Sequence, residues 1–125
     1  MEITSQEVNH LELITVKGRV DSVEAARLAA ALESAARRGK HKIVVDMSDV
    51  EYMSSAGFRA LGDAQRNSQR HRSGEVILAR VPAQIYQALE LVGFTEYFHI
   101  EDSVSAALAF AGNLRAGDSP LPTSP

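Results

Sequence analysis

A chain of 125 residues, 45% of them hydrophobic, has the length and apolar content of one domain around one core. Its 13 Lys and Arg against 16 Asp and Glu give a net charge of -3, which argues against a surface built to neutralise nucleic acid or an anionic membrane. Without cysteine there is no disulfide scaffold, no thiol nucleophile and no thiolate zinc site.

Ile3 to Val8 and Leu11 to Val16 read as two strands joined by a turn at Asn9-His10, with Gly18 following the second. Asp21 with Glu24 three residues on has the form of a capping box. Ala25, Leu28, Ala29, Leu32 and Ala36 then put a narrow apolar stripe on one helix face, narrow enough for close approach to a sheet. Gly39 ends that helix, with Arg37 and Arg38 in its last turn, where cations suit the carbonyl end. Lys42-Ile43-Val44-Val45-Asp46 is a β-branched strand whose charged ends mark where it leaves the core.

A loop is expected next, delivering Ser54 and Ser55 to the start of a second helix that carries Phe58 and Leu61 and ends before Gly74. Its polar end, Arg66 to Ser73, reads as solvated and has no interleaved aromatics to stack bases. Val76 to Ala79 is the next strand. Pro82 opens a third helix with Ile85, Leu89 and Val92 on one side, and Gly93 closes it. Tyr97 to Ile100 reads as a short last strand, and Asp102 or Ser103 caps a fourth helix bearing Val104, Ala107, Leu108 and Ala111. Helices between strands imply parallel pairing, so the expected fold is α/β. It has a mixed, mostly parallel sheet, an N-terminal strand pair and about four helices. The domain is expected over residues 1–112, followed by a flexible Pro- and Ser-containing tail over 113–125.

The segment that carries chemistry is Asp46 to Leu61, DMSDVEYMSSAGFRAL. Hydroxyls at a helix start lie next to unpaired backbone N–H groups and suit an added negative group, phosphate on serine included. The simpler reading is that Ser54 and Ser55 cap the helix and Gly57 permits close packing. A serine nucleophile is disfavoured, because the segment lacks the G-x-S-x-G elbow and none of His10, His41, His71 and His99 sits in a catalytic motif.

Val50-Glu51-Tyr52-Met53-Ser54-Ser55-Ala56-Gly57-Phe58 resembles the signature of STAS domains, specifically the bacterial anti-sigma factor antagonists. The resemblance runs from about Glu7 to Ala111. It takes in Gly18-Arg19-Val20-Asp21, the strand end at Asp46, the Gly74 to Ala79 strand and Leu89-Glu90-Leu91-Val92-Gly93-Phe94. The family pattern is aspartate, phosphorylated serine, a small residue and glycine. It falls on Ser54, Ser55, Ala56 and Gly57, and the family's aspartate after the second strand falls on Asp21. Ser54 departs from the pattern by removing a charge and adding a hydroxyl, so Ser54 is the alternative acceptor. Arg59, one turn on, is placed to pair with a phosphate.

The resemblance implies the STAS-like fold and a partner switch rather than an enzyme. The unphosphorylated chain would bind an anti-sigma factor that is a GHKL-type serine kinase, phosphorylation would release it, and a PP2C-like phosphatase would reset it. The expected docking residues are Asp21, Glu24, Ser54, Ser55, Ala56, Gly57, Phe58 and Arg59, although Asp21 and Glu24 also suit a plain cap and Phe58 also suits the core. No cofactor or metal of the chain's own is implied, nor direct contact with nucleic acid or membrane. With neither a basic-then-apolar leader nor a run of roughly 20 apolar residues, the expected location is the cytoplasm. The competing reading is a structural or regulatory STAS interaction module in a larger signalling assembly, in which binding does not depend on the serine.

Overall fold

The computed structural model describes residues 1–114. In chain order the elements are β1 (Glu2–Val8), β2 (Leu11–Val20), α1 (Ser22–Arg37), β3 (Lys42–Met53), α2 (Ser55–Ser68), β4 (Glu75–Ala79), α3 (Ala83–Leu91), β5 (His99–Glu101) and α4 (Val104–Gly112). The strands lie in sequence order in one five-stranded sheet, with β1 antiparallel to β2 and the remaining pairs parallel. This is the expected mixed α/β sheet with four helices.

Local chemistry accounts for the joints. Asn9 and His10 both adopt positive φ (52° and 68°), the backbone that a two-residue hairpin turn requires to match strand twist. Helix α1 closes in a Schellman turn: Gly39 takes φ 79°, its N–H reaches Ala36 O at 3.0 Å, and Lys40 N reaches Ala35 O at 2.9 Å. Helix α3 ends the same way through Gly93 and Phe94. Ser103 rather than Asp102 caps α4, accepting from Ala106 N at 3.0 Å.

Alternation along the strands divides the core between the two faces of the sheet. Ile14, Val16, Ile43, Val45, Val76 and Leu78 face α1, α2 and α3. Leu11, Leu13, Val44, Ile77 and Ala79 face Ala107 and Ala111 of α4. Both faces of the central strands are therefore covered, which explains their unbroken apolar runs.

Several boundaries differ from the sequence reading. Strand β2 continues to Val20 and β3 to Met53, so Asp46 is not where β3 leaves the core and no loop precedes the serines. Register shifts between Thr15 and Lys17 and between Gly18 and Arg19 break the two-residue alternation. Burial then falls on Met47, Val50 and Met53, a spacing of three that does not read as strand. Strand β5 begins at His99; Tyr97 and Phe98 lie in the preceding turn, with Phe98 buried in the core. Val92 stands outside the apolar side of α3, because the helix stops at Leu91 and the glycine turn carries Val92 outward. The Asp21–Glu24 capping box is half formed: Asp21 Oδ1 accepts from Glu24 N at 2.8 Å, while the Glu24 carboxylate turns to Arg27. Leu114 is buried against the α4 face and its carbonyl accepts from Lys42 Nζ at 2.8 Å. The remainder of the expected tail, 115–125, lies outside the described residues.

Candidate functional site

The extended β2 and β3 end together, with Val20 opposite Met53. One residue beyond each stands a helix cap, Asp21 for α1 and Ser54 for α2. Ser54 N donates to Val20 O at 2.8 Å, stitching the two exits together. Two helix starts thus lie side by side beyond the carboxyl ends of adjacent parallel strands, the position where open α/β sheets present binding groups.

The two serines have different environments. Ser54 is 8% exposed, and its Oγ accepts from Gly57 N at 3.2 Å. Ser55, the first residue of α2, is exposed. The cap and the free hydroxyl are therefore separate residues: Ser54 satisfies one orphan helix donor, and Ser55 faces solvent. Ala56 is half-buried against the core. Gly57 is buried, and a Cβ there would lie 2.6 Å from Met53 Cγ and 3.2 Å from Val20 Cγ1, so only glycine lets the helix start this close to the strand ends. Phe58 packs into the core, while Arg59 is exposed. Asp21 is exposed; Glu24 is half-buried and bonded to Arg27 at 2.8 Å, so its carboxylate is already engaged by a cation of its own helix.

Further neighbours complete this end of the molecule. The Arg19 guanidinium sits 4.6 Å from the centre of the Tyr52 ring, both side chains exposed on adjacent strand ends. Tyr52 points outward and Met53 inward, an alternation the sequence left open. A groove of about 270 Å³ runs from Ser55 along α2 to Val92 and Phe94. None of these has a local sequence signal, since each depends on the β2–β3 register or on the packing of α3.

Buried ionisable groups cluster at the opposite end of the parallel strands. Glu12 is 1% exposed and receives Arg38 through both carboxylate oxygens, at 3.2 and 2.8 Å, and the Ser5 hydroxyl. Burial pushes its carboxyl up, but the Arg38 and Ser5 hydrogen bonds and the Arg38 charge outweigh that and hold it below the usual range. Glu75 is raised by burial, which hydrogen bonds from Gln65 and Gln69 offset only in part. Gln65, wholly buried, donates to Glu75 at 2.7 Å and to Tyr97 O at 2.9 Å and accepts from Val76 N at 2.8 Å. These groups tie helices to strand starts, away from the serines. Among the described residues no three His, Asp or Glu side chains gather as metal ligands, and no helix is long and apolar enough to cross a membrane.

Comparison with known proteins agrees with this architecture. Residues 2–107 match the STAS domain family. BtrV of Bordetella bronchiseptica, described as an anti-sigma factor antagonist, is 28% identical over 109 residues, 87% of this chain and 93% of its own. An anti-sigma factor antagonist from Mycobacterium paratuberculosis superposes with a TM-score of 0.80 at 20% identity, over 90% of this chain and 94% of its own. The phosphorylated form of the Bacillus cell fate determinant SpoIIAA superposes with a TM-score of 0.71 at 15% identity, over 87% and 98%.

Proposed function

The chain belongs to the STAS domain family, and on that premise we propose that it is an anti-sigma factor antagonist switched by phosphorylation of Ser55. The unphosphorylated form docks onto an anti-sigma factor serine kinase of GHKL type through the paired helix starts, phosphate on Ser55 releases it, and a PP2C-like phosphatase restores it. It acts in the cytoplasm by binding, not by turnover.

The observation that carries this reading is the division of labour between the serines. Ser54 is buried and occupied as a cap, leaving Ser55 as the exposed hydroxyl at the paired helix starts. A phosphate there adds about -1.5 to -2 charge and three acceptor oxygens to a docking face. If a partner carboxylate or apolar surface covers that face, repulsion and desolvation drive the pair apart. The names of BtrV and SpoIIAA's phosphorylated form support the class.

The test is quantitative capture from lysate of the source cells by the parent and Ser55→Asp chains, with bound proteins identified by mass spectrometry. Capture of a GHKL-type kinase by the parent and not by the variant is the expected result. Equal capture by both would reject the switch in favour of a module whose binding ignores Ser55.

A further inference from the structure

The groove beside Ser55 has a composition that specifies an occupant. Its floor is Phe58 and Phe94, and the Phe94 ring lies over the bare backbone of Gly62, where a Cβ would come within 3.0 Å of Cζ. Val92 forms one wall; it is 53% exposed, and Leu91 beside it is 88% exposed, so apolar surface continues out of the groove. Apolar surface that is contiguous, rather than scattered as single side chains, marks a contact site.

The rim carries more positive than negative charge. Arg66 has a loose partner in Asp63 at 3.5 Å, whereas no carboxylate among the described residues lies within 4 Å of Arg59. A segment complementary to this surface brings a large apolar side chain for the groove and a carboxylate for Arg59. Ser55 and Arg59 are four residues apart on one helical face and line the same groove, so a phosphate on Ser55 and a partner carboxylate would compete for one guanidinium.

We infer that the α2–α3 groove receives an acidic amphipathic segment of the anti-sigma factor, anchored by an apolar side chain against Val92 and Phe94 and by a carboxylate on Arg59, and that phosphate on Ser55 displaces it by taking Arg59. The inference rests on the Ser55 switch and adds to it the partner's chemistry and the residue that reads the phosphate. Arg59 is the pivot: free, it holds the partner; engaged by phosphate, it leaves the partner's carboxylate facing an anion.

The test uses the kinase captured by the parent chain, purified and titrated calorimetrically with unphosphorylated parent, Val92→Glu and Arg59→Gln. Both substitutions are at exposed positions, and thermal unfolding verifies that each variant is folded. Each is expected to bind at least about tenfold more weakly than the parent, the scale of one lost anchor. In chains carrying phosphoserine at position 55, phosphorus NMR is expected to give a lower second phosphate pKa for the parent than for Arg59→Gln. Binding of either folded variant within about threefold of the parent, or equal phosphate pKa values, overturns the inference while leaving the Ser55 switch standing. A parent that captures no kinase removes the switch and the inference together. Self-association of the parent that Val92→Glu abolishes would assign the groove to a second copy of this chain and likewise overturn it.

Discussion

At the scale of single residues, the site turns on which of two adjacent hydroxyls is occupied. Ser54 Oγ satisfies Gly57 N in a buried setting, so Ser54→Ala leaves a helix donor without its partner and is expected to cost about 1 kcal/mol. Ser55 makes no such bond and is exposed, so Ser55→Ala is expected to change stability by less than about 0.5 kcal/mol. Urea unfolding of the two variants separates these roles, and equal losses would show that the cap is shared. The sequence placed a helix start at the serines but left their division open. The answer depends on β3 running to Met53, which fixes Ser54 as the single residue between strand and helix.

At the scale of elements, two buried carboxylates tie the helices to the sheet with opposite pH signatures. Glu12 joins β2 to the C-terminal end of α1 through Arg38, and its folded-state pKa lies below the unfolded value. Its contribution is therefore present above the ordinary carboxylate range and is lost as pH falls through the folded pKa. Glu12→Gln is expected to destabilise the chain by about 1–3 kcal/mol at neutral pH, with the gap to the parent closing on acidification. Glu75, at the start of β4, has a folded pKa above its unfolded one. Its contribution is complete below the ordinary range and is lost as pH rises through the folded value. Glu75→Gln is accordingly expected to match the parent below the ordinary carboxylate range and to exceed it in stability once pH has risen through the folded value. Denaturant titrations from neutral pH to below the ordinary carboxylate range test both signs, and parallel stability profiles for parent and variants would refute them. None of Glu12, Glu75 and the Gln65 that bonds Glu75 was legible as buried, because no local pattern marks a polar side chain for enclosure. Only the packing of α1 and α2 onto the strand starts encloses them.

At the scale of the whole molecule, β3 and β4 contribute to both core clusters, Val45 and Leu78 on one face and Val44 and Ile77 on the other. Neither helical layer has a sheet of its own to pack on, so the domain is expected to unfold as one unit. Far-ultraviolet circular dichroism and tyrosine fluorescence, which follows Tyr52, Tyr86 and Tyr97, should give coincident denaturation midpoints. Separated midpoints would show that one layer melts before the other. The sequence by itself determined the order of elements, the parallel crossovers, the hairpin at Asn9-His10 and both glycine-terminated helices, because these follow from periodicity and from backbone preferences local to a few residues. Only the tertiary structure decided how far β2 and β3 run, which serine is capped, that Val92 faces outward and that Phe94 lies against Gly62. Those features follow from register shifts and from helix packing between segments distant in the chain, and no local pattern of residues encodes them.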